Sequence, residues 1–252
     1  LYFNNNDNES VVVVNERCRR LVIGWFKQLA SHYKFKESTV SVAVNILDRF
    51  VAAEDESVLK STLQFRLAAM ACLYTAVKIH EQIAMDPKSM SKLSKGIFLP
   101  TDIEEMELRI LTTLDWSVNT PAAFSFADLY LKLLLPSSIN DKQASMIENL
   151  TYYQINYAME ECSFLGMAES ELAFTATYNA IVAVLGRQHS SITHSYGEIQ
   201  RIIDVNLLPF ELENQLWNQI ITVQQQDNLS LDVTATAVSS YSVKHQDECK
   251  SK

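Results

Sequence analysis

Apolar positions recur along most of this chain at intervals of three and four residues, the spacing of a single helix face. Leu21, Val22, Trp25, Phe26 and Leu29 form one such stripe within residues 15–33. Val42, Ile46, Leu47 and Phe50 form a second, with Ser38 or Thr39 as its expected N-cap. A third helix is expected over residues 57–81. Its stretch from Leu67 to Val77 is apolar all round and rich in Ala, which predicts a central buried helix approached closely by its neighbours. Pro87 marks the loop after it; a short helix near residues 89–95 follows, and Pro100-Thr101-Asp102 starts a fifth helix running to Leu114. Asn119-Thr120-Pro121 breaks the pattern. It resumes over residues 122–135, 141–160, 169–187, 195–203 and 210–225.

Five helices, a link and five more predict an all-α chain of two tandem five-helix bundles, although similarity between the halves is too weak to prove a repeat. The expected division is an N-terminal extension over residues 1–15, a first bundle over 16–118, a second over 119–226 and a polar, Ser/Thr-rich flexible tail over 227–252.

Composition narrows the function more than the fold. A chain of 252 residues with 48% hydrophobic content can bury a large core, and 5 Gly with 5 Pro are too few for a turn-rich β protein. The net charge of -9 opposes a nucleic-acid-binding surface and points to a protein partner. The 4 cysteines, Cys18, Cys72, Cys162 and Cys249, form no Cys-x-x-Cys pair, a usage that fits a reducing nucleus or cytoplasm. No apolar run is long enough to span a bilayer. The chain begins at Leu1 rather than Met and is expected to be a fragment.

Enzyme chemistry is not visible. The 5 histidines make no zinc arrangement, and there is no Gly-rich phosphate loop and no nucleophile elbow. The acids Asp102, Glu104 and Glu105 open a helix, where the macrodipole favours them. No metal and no cofactor are expected.

Two of the helical stripes carry a lone ionic residue among apolar ones: Arg19 in Cys18-Arg19-Arg20-Leu21-Val22, and Asp48 in Leu47-Asp48-Arg49-Phe50. An unpaired buried charge is costly, so a cation and an anion in such settings predict a pair closing helix on helix. These two motifs, followed in order by Leu63-Gln64-Phe65, Ala76-Val77-Lys78, Met106-Glu107 and Leu114-Asp115-Trp116, resemble the cyclin box over residues 17–124. The resemblance implies a regulatory subunit that activates a cyclin-dependent Ser/Thr protein kinase in cell-cycle control and is itself no enzyme.

It also implies two surfaces. Lys78 and Glu107 would flank an apolar strip of Ile79, Leu108, Leu111, Trp116 and Val118 that grips the kinase's mobile helix. An intramolecular salt bridge with ordinary core packing is the plainer account of the same residues. Cys18, Leu21, Val22, Trp25 and Gln28, with Leu63 and Gln64, would form a docking patch for substrates or inhibitors carrying Arg-x-Leu segments; the alternative is that Leu21 and Trp25 are core. Here Cys18 stands for the family's usual Met and Gln28 for its usual acid, so selectivity for the Arg should weaken. Gly24 replaces the usual Asp, and Ile79-His80 the usual aromatic-Glu, with His80 expected to be exposed and silent. A cyclin-fold scaffold or a transcription-related binding module is the competing reading.

Overall fold

The computed structural model describes residues 14–54, 61–82, 85–135, 139–186 and 209–226. Most of the N-terminal extension, the expected helix over 195–203 and the tail from 227 lie outside the described residues. Among the described residues the regular structure is helical throughout, with no strand.

The chain divides into two compact units, one of residues Leu1–Phe124 with Met159–Leu165, the other of Ser125–Ala158 with Gly166–Lys252. The first unit therefore runs past the link at 119–121 to Phe124 and recruits a distant segment.

Among the described residues five α-helices build the first unit, α1 (Glu16–Tyr33), α2 (Glu37–Ala53), α3 (Thr62–His80), α4 (Pro87–Leu93) and α5 (Pro100–Thr113), with a short 3-10 helix at Cys162–Phe164. Asn15 caps α1 by accepting from Cys18 N at 3.2 Å, and Lys34 ends it in the left-handed region at φ 60°. The cap of α2 differs from expectation. Thr39 is fully buried and its hydroxyl donates to Glu81 Oε1, while Lys36 N donates to the same carboxylate oxygen at 2.8 Å. The carboxylate that satisfies this helix N-terminus thus comes from just beyond α3, where an acid near the positive end of the dipole is favourable. Ser61 caps α3 by accepting from Gln64 N, so the helix starts later than residue 57. Asp86 caps α4, placing Pro87 at its first position rather than in a loop. In α5, Leu99 N donates to Asp102 Oδ2 at 2.7 Å ahead of Pro100.

Helix α3 is the axis of this unit. Twelve of its residues, from Phe65 and then Leu67 through Val77, are buried against α2 on one side and α5 on the other. Its Ala68, Ala69, Ala71 and Ala76 let those helices come near, and Phe26, Phe50, Leu73, Ile103 and Ile110 fill the space between.

The second unit contains most of α6 (Ala123–Leu134), most of α7 (Asp141–Glu160), α8 (Glu169–Leu185) and α9 (Phe210–Gln226). Tyr130, Ile147, Ile155, Phe174, Ile181, Leu216 and Trp217 are buried in it. Its interior also holds a polar bridge: Gln154 Nε2 donates to the carbonyls of Leu150 and Ala176, and Asn179 Nδ2 donates to Gln154 Oε1.

Candidate functional site

The candidate residues of the first unit fall into three groups of side chains. Arg19 and Asp48 form a two-point ion pair, with Arg19 Nε donating to Oδ1 at 2.8 Å and Nη2 to Oδ2 at 2.7 Å. Their side chains are 11% and 24% exposed. Arg19 Nη1 also donates to the carbonyl of Glu160 at 3.4 Å. Burial alone would lower the guanidinium pKa, but the hydrogen bond and charge of Asp48 outweigh it and raise it. Arg20 pairs with Glu161 and Lys27 with Glu160, so α1 holds the Met159–Leu165 segment through three basic residues. These contacts span 133 and 141 positions, and sequence reasoning did not find them.

The second group joins α3 to α5. Lys78 Nζ donates to Glu107 Oε1 at 3.0 Å and to Oε2 at 2.9 Å, and Thr75 Oγ1 donates to Oε1 at 3.1 Å. Lys78 also lies over the Tyr74 ring, 4.8 Å from its centroid. Burial tends to lower the ammonium pKa, yet Glu107 and Tyr74 outweigh that and raise it above its ordinary value. The lysine and the acid are therefore together in an intramolecular salt bridge. Of the apolar residues expected to accompany them, Ile79, Leu108 and Trp116 are exposed, Trp116 by 67%, and Leu111 is partly buried against the core. Val118 is buried at 6% exposure. It belongs to the core of the unit and offers almost no surface, because the turn after α5 carries the chain back inward.

The third group lies between α1, α3 and the segment after α4. Leu21, Gln28, Leu63 and Gln64 are exposed and Cys18 is half-buried, whereas Val22 and Trp25 are buried. Val22 and Trp25 wall a cavity of about 20 Å³, room for little more than one methyl-sized group. Arg66, Ala69, Met70, Ser94, Ile97 and Phe98 complete its lining. Arg66 and Met70 continue the helical spacing from Leu63, so that signal was available in the sequence; Ile97 and Phe98 follow α4 and left none.

His80 is half-buried rather than exposed, and its Nε2 is buried without a hydrogen-bond partner. Cys18, Cys72 and Cys162 are free thiols. Among the described residues no cluster of His, Cys, Asp or Glu is placed to hold a metal ion, and no helix is long and apolar enough to cross a membrane.

Comparison with known proteins bears on the first unit above all. A family model described as "Cyclin, N-terminal domain" matches residues 2–119. G2/mitotic-specific cyclin-2 of Medicago sativa is 26% identical over 176 residues, which is 70% of this chain and 50% of that protein. Cyclin-D4-1 of Oryza sativa subsp. japonica is 30% identical over 182 residues, 71% of this chain and 48% of that protein. The chain spans about half the length of these curated relatives. Among solved structures, a viral cyclin from herpesvirus saimiri aligns with a TM-score of 0.58 at 17% identity, covering 77% of this chain and 86% of that one, and shares its fold.

Proposed function

The chain is a cyclin-box protein, and on that premise we propose that it is the regulatory, non-catalytic subunit of a cyclin-dependent Ser/Thr kinase in cell-cycle control. The observation that carries this reading is the Lys78–Glu107 pair with exposed Ile79 and Leu108 next to its members in the chain, and Trp116 exposed just after α5. Large apolar side chains left exposed next in the chain to each member of a fixed charge pair are poorly explained by the unit's own packing and well explained by an apolar partner helix. Half-exposed Lys78 keeps donor capacity for the carbonyls at that helix's end, while Glu107 holds it in place.

Activation follows as a population shift. A kinase of this class keeps its regulatory helix turned away when alone, and the Lys–Glu pair that positions the ATP phosphates is broken. A surface that fits only the inward helix stabilises the active arrangement by its differential affinity. The regulatory chain binds no nucleotide. Exposed Leu21 and Leu63, with the rim of the nearby cavity, recruit substrates or inhibitors through the apolar residue of an Arg-x-Leu segment. Neutral Gln28 makes the Arg a weaker determinant. Action in nucleus and cytoplasm belongs to the same proposal.

Binding of a purified cyclin-dependent kinase to the double variant Lys78→Ala/Glu107→Ala tests it. Both charges leave together, so no orphan ion remains and the helical circular dichroism should stay unchanged while association is lost. Undiminished association would remove this surface from consideration, whereas a parent chain that binds no cyclin-dependent kinase would favour a cyclin-fold scaffold or a transcription-related module.

A further inference from the structure

The turn that follows α5 contains two consecutive residues in the left-handed backbone region, Asp115 at φ 49° and Trp116 at φ 62°. That region is disfavoured for any residue with a Cβ and especially for a bulky one, and neither position is a glycine. Four backbone hydrogen bonds wind the turn: Asp115 N to Thr112 O, Trp116 N to Leu111 O at 2.8 Å, Ser117 N to Leu114 O and Val118 N to Trp116 O. Leu114 before the turn and Val118 after it are buried at 7% and 6% exposure. Between these anchors Trp116 stands 67% exposed, which makes it the most exposed of the large apolar side chains among the described residues of this unit.

Helix α2 holds the far side of the turn. Arg49 Nη1 donates to the carbonyl of Ser117 at 2.7 Å, and Asn45 Oδ1 accepts from Thr120 Oγ1 at 3.0 Å. Asn45 and Arg49 are four residues apart and so lie on one face of the helix. Their two contacts fall one and four residues after Trp116. A disfavoured backbone persists only where its surroundings over-determine it. Here the surroundings are two buried anchors and two side-chain clamps, and the residue they hold out lies outside the unit's own core.

We propose that Arg49 and Asn45 are positioning residues that fix the Asp115–Trp116 turn, so that Trp116 is already erect before the kinase arrives. Without the clamp the turn relaxes toward ordinary backbone angles and Trp116 folds down onto its own unit. Binding must then restore the strained turn, and affinity falls by the fraction of molecules that hold it. The proposal rests on the reading of the Lys78–Glu107 face as the kinase surface.

A double-mutant cycle separates the two ideas. The dissociation constant for a purified cyclin-dependent kinase is measured with the full chain, with Arg49→Met, with Trp116→Ala and with both, the melting temperature of each being recorded. Arg49→Met is expected to weaken binding about tenfold when Trp116 is present and less than about twofold when it is Ala, with Arg49→Lys restoring most of the loss. Equal weakening in both backgrounds, or none in either, overturns the clamp and leaves the kinase surface standing. Unchanged binding by Trp116→Ala overturns the clamp, while the surface itself stands or falls with the Lys78→Ala/Glu107→Ala variant. Asn45→Ala in the same cycle provides the second route if Arg49→Met does not fold.

Discussion

Glu107 and Lys78 share a two-point contact across α3 and α5, yet their side chains are unequally buried, at 11% and 44% exposure. The acid is part of the interior, bonded also to Thr75, while the base reaches it from the surface. Removing either partner therefore does different damage. Lys78→Met strands a carboxylate in the interior with one neutral donor, at a cost of about 2–3 kcal/mol. Glu107→Gln frees the lysine into water and leaves a polar group that still accepts from Thr75, costing about 1 kcal/mol. Urea unfolding of both variants should give this order, and the reverse order would show that the lysine is the buried member.

Arg19 and Asp48 are more evenly enclosed, and the arginine is additionally tied to the carbonyl of Glu160. Asp48→Ala leaves a guanidinium with most of its surface covered and its principal acceptor gone. The expected loss is about 3 kcal/mol, the lower end for breaking an enclosed pair because Asp48 retains some access to water. A loss below about 1 kcal/mol in denaturant unfolding would place the pair among ordinary surface contacts.

How far the sequence discloses these arrangements depends on how local their causes are. The stripe of α1, the Ala-rich run of α3 and the acid-and-proline start of α5 are local patterns, and the helices lie over them. A lone charge inside each apolar stripe was enough to bring Arg19 and Asp48 into consideration as a pair. The cap of α2 was not legible, because its acceptor Glu81 lies 42 positions from Thr39 and nothing near Ser38 points to it. Met159–Leu165 belongs to the first unit, where Glu161 and Glu160 pair with Arg20 and Lys27, contacts that leave no periodic trace. Trp116 and Val118 are two apolar residues on either side of Ser117. Only the left-handed turn decides that one is exposed and the other buried.

Gly24 lies inside α1, and a Cβ built on it meets nothing within 4 Å. A methyl group there adds no clash and removes backbone freedom from the unfolded chain. Gly24→Ala should stabilise the protein by about 1 kcal/mol, the interior-helix difference between the two residues. Thermal unfolding followed by circular dichroism should show a rise of a few degrees; a fall would mean that the position is needed bare for a contact made only with a partner.

Trp25 is a poor probe of substrate docking because it is buried and its loss would open the core. Leu21 and Leu63, at 47% and 49% exposure, carry no such penalty. Leu21→Ala combined with Leu63→Ala should leave the melting temperature within about 1–2 °C of the parent. The same change should slow phosphorylation of substrates containing an Arg-x-Leu segment several-fold while sparing short peptides that lack one. Equal slowing of both substrate types would reassign these leucines to the fold or to kinase activation.

His80 offers a measurement that needs no partner. Burial lowers its pKa below the ordinary 6.5, Lys36 adds to the lowering and Glu81 opposes it. Its buried Nε2 has no acceptor to stabilise an added proton. The unfolded chain therefore binds a proton more readily than the folded one between the lowered value and about 6.5. In that window stability rises with pH, so the contribution is fully present above about pH 6.5 and is lost as the solution is acidified through the folded-state pKa. His80→Gln removes the titrating group while keeping a polar side chain. Unfolding free energies measured from about pH 7.5 down to about pH 5 should fall more steeply for the parent than for the variant, with the curves parallel above about pH 7. Parallel curves throughout would mean that the imidazole finds a proton acceptor on entering its charged form.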